Sequence, residues 1–184
     1  LNHFYGNSIQ TCRGQFATLC SAIPSYRNKI FKSHYNNNYL CISDVLKQKG
    51  YTNLFFKAYH SITFDNTEGF IKNHNFDHIS GMSKKFITKK DKKYIWGWGL
   101  QDNIFYQKFF KYLDKVKEQE VKKNPKKTPL FFSSLTTISN HMNFNLVPKA
   151  QRYFYKNPQN TKEHYANSIY VTDKYLKTFF SELN

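Results

Sequence analysis

The sequence predicts an α/β protein, with helices packed on the faces of a central sheet. Three observations carry that reading. Residues 43–49 read as a helix, Gly50 stops it, and the apolar run YTNLFFKAY (51–59) follows at once. A second apolar run, LFFSSLTT (130–137), comes after the clearest amphipathic helix in the chain. Hydrophobic residues make up 40% of the 184, with 18 Phe and 14 Tyr, enough to fill a core.

Taken in order, residues 11–23 predict a first helix. Phe16, Leu19, Cys20 and Ile23 recur at helical spacing and Pro24 ends it. In the second helix, 43–49, Ser43 and Asp44 are the cap candidates and Val45 and Leu46 the apolar positions. Residues 51–59 predict a buried strand and 66–74 a short helix, while 80–95 are lysine-rich and predict a surface loop. Residues 102–121 predict a helix capped by Asp102, with Phe105, Phe109, Tyr112, Leu113 and Val116 on one stripe. A charged, proline-bounded turn (122–129) leads to a buried strand at 130–137. The last helix, about 163–183, is expected to pack through Ile169, Thr172, Leu176, Phe180 and Leu183.

The net charge is +16 and the isoelectric point about 9.7. An anionic partner follows from that: nucleic acid, a membrane surface or a phosphorylated substrate. Only Arg13, Arg27 and Arg152 are arginines, and lysine supplies the remaining positive charge. Base reading leans on the planar arginine fork, so a diffuse lysine coat argues against specific nucleic-acid recognition. No apolar stretch reaches the roughly 20 residues that cross a bilayer. The three cysteines, Cys12, Cys20 and Cys41, form no CxxC pair, which argues against zinc. They are either three small buried residues or one disulfide with a cysteine left over.

Six stretches in order carry a resemblance: FYGNSIQTCRGQFATLCSAIP, YLCISDVLKQKGYTNLFFKAYH, FDNTEGFIKNHNFDHI, WGWGLQDNIFYQKFFKYLD, PLFFSSLTTISNHMNF and YANSIYVTDKYLKTFFSEL. Together they resemble the sulfatase-like branch of the alkaline phosphatase superfamily, closest to the lipoteichoic acid synthase and phosphoglycerol transferase group. The resemblance implies an alkaline-phosphatase-like sandwich with a mixed central sheet, truncated at both ends. It implies that residues 1–184 are a fragment of one catalytic domain.

It also implies chemistry. Thr11, in QTCRG, matches the metal-bound nucleophile, whose pKa a Mn, Mg or Zn ion would lower. A helix start there adds N–H groups facing phosphoryl oxygens. The competing reading makes Thr11 a plain N-cap. Arg13 is either a phosphate contact or a loop-holding cation, and Gly14 allows close packing near the site. His141, in SNH, matches a histidine beside the substrate phosphate. His60, Asp65 and Asn66 fall where relatives carry polar substrate contacts. Some relatives have Trp and Arg around the positions of Asp65 and Thr67; this chain has neither, which leaves the head group open. Trp96 and Trp98 either wall the pocket or pack in the core, core packing being favoured. His34, His74, His78 and His164 are taken as surface residues. Cys20 and Cys41 sit where exported relatives pair cysteines, leaving Cys12 free beside Thr11.

The family's other metal ligands, an acidic residue before the nucleophile and an Asp–His pair after the last helix, have no match in this sequence; Asp77-His78 lies in the wrong segment. The expectation is therefore a piece of a larger, membrane-anchored enzyme with an extracytoplasmic catalytic domain. Alone, the piece should hold metal poorly and turn over little. The implied reaction is phosphoglycerol transfer from phosphatidylglycerol, an anionic lipid, in cell-envelope synthesis. The alternatives are sulfate-ester hydrolysis, argued against by the absent CxPSR or SxPSR pattern, and phosphoethanolamine transfer. A basic nucleic-acid-binding module and a catalytically dead relative are the readings from other classes.

Overall fold

A computed structural model describes residues 3, 6, 8–83 and 86–183 of the chain. The elements run α1 (Thr11–Cys20), α2 (Ile30–Ser33), α3 (Ile42–Gln48), β1 (Tyr51–Lys57), α4 (Thr67–Lys72) and β2 (His78–Ser80). Then come β3 (Ile95–Trp96), β4 (Gly99–Leu100), α5 (Asp102–Lys123), β5 (Leu130–Thr136) and α6 (Thr161–Leu183). Short 3-10 turns cover Phe64–Asn66, Lys89–Tyr94 and Lys149–Gln151. The three-stranded sheet has the order β2-β1-β5, and β3 pairs with β4 as an antiparallel hairpin. The predicted α/β class holds.

The chain divides into two compact units. The first comprises Leu1–Phe55, Ser61–Ile79 and Pro129–Ser134. Its core is aromatic: Phe31 stacks on Phe70 at 4.0 Å between ring centroids, and Phe16 meets Tyr39 edge-on at 4.9 Å. A disulfide joins Cys20, the last residue of α1, to Cys41, the N-cap of α3, and Cys12 is free and buried. The second unit comprises Phe56–His60, Ser80–Thr128 and Leu135–Asn184. Here Phe56 packs on Phe109 and Phe86, and Phe179 of α6 packs on Tyr106 and Phe110 of α5.

Several expectations are corrected. Helix α1 stops at Cys20, because Ser21 turns left-handed (φ 50°), so Ile23 lies exposed outside it. Asp44 does not cap α3 from its start. It sits at the third helical position, where its Oδ2 accepts the Cys41 N–H at 2.8 Å. In α3 the buried residues are Ser43 and Asp44 rather than the apolar Val45 and Leu46. The 80–95 stretch is not all surface: Phe86 and Asp91 are buried, and Asp91 pairs with Lys108 at 2.7 Å. Strand β5 is half-buried rather than buried.

The largest correction concerns α6. Ile169, Leu176, Phe180 and Leu183 are exposed, and the helix packs instead through Asn167, Ser168, Val171 and Tyr175. Two stripes of this helix have helical spacing. The one that is buried carries polar groups which find partners, as Tyr175 does with Gln101 and Gln151. Among the described residues no helix is long and apolar enough to cross a membrane.

Candidate active site

Of the predicted site residues, Thr11, Arg13, Asp65 and Asn66 lie in the first unit, and His60 and His141 in the second. Thr11 is the first residue of α1 and is exposed. Gln10, not Thr11, is the N-cap, which overturns the plain-cap reading of Thr11. The Gln10 carbonyl takes the N–H groups of Arg13 (3.1 Å) and Gly14 (3.0 Å). The Thr11 hydroxyl makes no hydrogen bond among the described residues. A short hydroxyl thus stands in solvent at the end of a helix where N–H groups and the dipole favour an anion.

The neighbouring Cys12 is no competitor. Burial pushes its thiol up, and the Asp65 charge pushes the same way, against Lys29 and Arg13. A buried, protonated thiol is a poor nucleophile. Asp65 pairs with Lys29 at 2.8 Å and Lys32 at 3.3 Å. Burial raises its carboxyl, but the hydrogen bonds from the two lysines outweigh burial and hold it below the ordinary range. Asp65 therefore anchors two ammonium groups.

Asp65 and Asn66 both adopt left-handed backbone (φ 55° and 56°), a conformation that non-glycine residues hold only when the surroundings fix it. The Asn66 amide donates to the Phe31 carbonyl at 2.6 Å. A Cβ on Gly69 would stand 2.5 Å from Asn66 Oδ1, so this glycine makes room for the asparagine. Gly14 has no such role: nothing lies within 4 Å of a Cβ built there, against the expected close packing. Arg13 holds a loop, its guanidinium donating to the Tyr26 carbonyl at 2.7 Å and lying 5.8 Å over the Tyr26 ring.

In the second unit His141 follows β5. Its Nδ1 donates to the Met142 carbonyl at 2.8 Å, which fixes the tautomer and leaves Nε2 without a hydrogen bond among the described residues. The ring lies 4.9 Å from that of Trp98. His60 likewise commits Nδ1, to the Trp98 carbonyl at 3.1 Å. Trp98 is 55% exposed, so it is not the core residue expected; Trp96 is buried.

The missed residue is Asp102, fully buried at the start of α5. It was expected as a cap, but Gln101 is the N-cap. Oδ1 of Asp102 accepts the N–H groups of Ile138 (2.9 Å) and Ser139 (3.0 Å), and its own N–H donates to Ser139 Oγ (2.9 Å). So the aspartate of the WGWGLQD stretch pins the SNH stretch that carries His141. The sequence signal was present: the two stretches occur together, yet nothing in their spacing shows that they touch.

His74, taken as a surface residue, is 3% exposed, with Nδ1 3.3 Å from Asp44 Oδ2. Cys41, Asp44 and His74 are the one group of three metal-capable side chains among the described residues. The Cys41 sulfur is bound in the disulfide, so no thiolate is available there. Around Thr11 the described residues do not fit a metal: one hydroxyl offers one ligand, and Asp65 is held by lysines.

The model of the family described as Sulfatase matches residues 1–184. The chain belongs to the sulfatase family. Within it, the chain is 28% identical over 102 residues to phosphoglycerol transferase I of Citrobacter koseri, 55% of this chain and 12% of that protein. Among solved structures it is similar to the lipoteichoic acid synthase LtaP of Listeria monocytogenes, with a TM-score of 0.78 and 21% identity over 96% of this chain and 40% of that one. It is also similar to the phosphoglycerol transferase GacH of Streptococcus pyogenes, solved with sn-glycerol-1-phosphate. There the TM-score is 0.64 and the identity 20%, over 98% of this chain and 45% of that one. The fold is thus shared with these two solved structures, and the chain spans less than half of each of these relatives.

Proposed function

We propose that this chain carries the nucleophile of a phosphoglycerol transferase. The observation that carries the reading is the Thr11 hydroxyl, exposed at the first residue of α1 and without a hydrogen bond among the described residues. The Thr11 oxygen attacks the phosphorus of phosphatidylglycerol. The phosphorus–oxygen bond to diacylglycerol breaks, and the lipid leaves as an alcohol with the threonine proton. An acceptor hydroxyl then takes the phosphoglycerol, and the threonine hydroxyl is restored. Lys29 and Lys32 offset charge on the phosphoryl oxygens.

Asn66 and Arg13 shape the loops around Thr11, with Asn66 available to the head group. His60 and His141 are further substrate contacts in this reading, each through an Nε2 that makes no hydrogen bond among the described residues. Family members of this kind use a divalent metal. The described residues around Thr11 do not complete a metal site.

The disulfide fits an oxidising, extracytoplasmic compartment, and the lysine coat fits an anionic lipid surface. The test is diacylglycerol release from fluorescent phosphatidylglycerol by the complete gene product. Thr11→Ala should lose on the order of a thousandfold or more of the rate, with Thr11→Ser retaining part and circular dichroism unchanged. Equal rates in wild type and Thr11→Ala remove Thr11 from the chemistry.

A further inference from the structure

Four side chains of the first unit meet at the disulfide. Cys20 ends α1, Cys41 is the N-cap of α3, Asp44 lies in the first turn of α3, and His74 follows α4. All four are buried. Cys41, Asp44 and His74 each offer a ligand atom, and these three atoms lie within 4.8 Å of one another. The Cys20 sulfur is at the same place, because it is bonded to that of Cys41.

The imidazole of His74 is held but not satisfied. Its Nδ1 lies 3.3 Å from Asp44 Oδ2, and Nε2 is buried with no hydrogen-bond partner among the described residues. A buried nitrogen left this way costs free energy that a bound ion recovers. The ring packs on Phe70, at 4.3 Å between centroids. Asp44 is oriented too: Oδ2 accepts the Cys41 N–H and Oδ1 the Asn75 amide, each at 2.8 Å. Outer bonds of this kind aim the ligands of a metal centre. Asp44 and His74 also line a cavity of about 570 Å³ with Asn36, Asn37, Asn38 and Asn73, which gives an ion a polar route to them.

While the S–S bond stands, neither sulfur can bind a metal as a thiolate. We propose that reduction turns the disulfide into a zinc site, with Cys20, Cys41, Asp44 and His74 as its four ligands. A dithiol reductant supplies the two electrons: the S–S bond breaks, each sulfur takes a proton, and the dithiol closes to its own disulfide. Zinc then displaces the two thiol protons, and two thiolates, an imidazole nitrogen and a carboxylate oxygen surround it. Sulfur and nitrogen donors suit zinc rather than calcium or magnesium, which take oxygen sets. Helices α1 and α3 are clipped together in both states, by the disulfide where thiols are oxidised and by the metal where they stay reduced. None of this depends on what Thr11 does.

Cobalt(II) is the probe, because thiolate ligation gives it a charge-transfer band that oxygen and nitrogen ligands do not. The complete gene product is reduced with dithiothreitol, desalted without oxygen and titrated with cobalt. A saturable thiolate band is expected, lost on adding zinc and absent when the disulfide is intact. Cys41→Ala should lose the band, His74→Ala should weaken cobalt binding about tenfold or more, and Cys12→Ala should bind like wild type. Cys20→Ser frees the Cys41 thiol without reductant and should show a weaker band of its own. The proposal is overturned if reduced wild type, folded by circular dichroism, shows no band. If reduction unfolds the wild type, the absence of a band in Cys20→Ser overturns it instead. It is equally overturned if the oxidised protein, Cys41→Ala or His74→Ala binds cobalt as reduced wild type does.

Discussion

Replacing Asp102 tests whether a buried carboxylate holds the segment that presents His141. Its Oδ1 is the acceptor for two backbone N–H groups, those of Ile138 and Ser139; Asp102 and Ser139 are buried and Ile138 is half-buried. Asp102→Ala leaves both donors unpaired. Each orphaned buried group costs about 1–3 kcal/mol, so the loss is about 2–6 kcal/mol. For a chain of this size that is roughly 5–20 °C in thermal midpoint, at about 2–4 °C per kcal/mol.

Asp102→Asn is the sharper variant, because the amide keeps an oxygen for the two N–H groups. Burial raises the Asp102 carboxyl above its ordinary value, and the bonds from Ile138 and Ser139 only partly offset this. A carboxyl whose pKa is higher folded than unfolded takes up protons on folding. Its stabilisation is complete below the unfolded value of about 3.9 and is lost as pH climbs through the folded one. Wild type should therefore lose ground to Asp102→Asn as pH rises from about 4 to 7. The second oxygen of Asp102 has no hydrogen-bond partner among the described residues, so ionisation gains nothing from that side. Thermal melts of both variants at a series of pH values decide the matter. If Asp102→Ala melts within about 1 °C of wild type, or if the Asp–Asn difference moves the other way with pH, the reasoning fails.

Three further outcomes are expected. Reducing Cys20–Cys41, or replacing Cys41 by Ala, should cost about 3 kcal/mol, the loop-closure value for a 21-residue separation, read from urea unfolding with and without reductant. Gly69→Ala should displace Asn66 and lower diacylglycerol release while changing the thermal midpoint by only a few degrees, since the clash is with one side-chain amide. Gly99→Ala should cost about 1–3 kcal/mol, read from urea unfolding, because its Cβ meets the Ala58 main chain and Ile138 Cγ2.

The α/β class and most elements were legible in the sequence, because periodicity reports burial well where the buried groups are apolar. Phe16, Leu19, Phe105, Phe109 and Val116 are all buried as their spacing requires. Helix α6 shows the limit. Ile169, Leu176 and Phe180 make the better apolar stripe, yet Ser168, Val171 and Tyr175 are buried, since their polar atoms find partners at Asn140, Gln101 and Gln151. Hydropathy scores a side chain against water. It cannot score a hydroxyl against a partner in another element.

The same limit explains what was missed at the candidate site. Asn53, Asp102 and Asn167 are buried side chains that satisfy main-chain groups outside their own helix or strand. Asn53 donates to the Ser43 and Asn75 carbonyls. Asn167 accepts the N–H groups of Phe154 and Tyr155 and donates to the Tyr155 carbonyl. Each ties irregular backbone to a helix or strand, where unpaired main-chain groups would otherwise cost free energy. Loops held this way can carry chemistry without a regular element of their own. His141 sits on such a loop, pinned at Ser139 by Asp102 and at Asn140 by Ser168, so its geometry is set by residues that no motif around it contains.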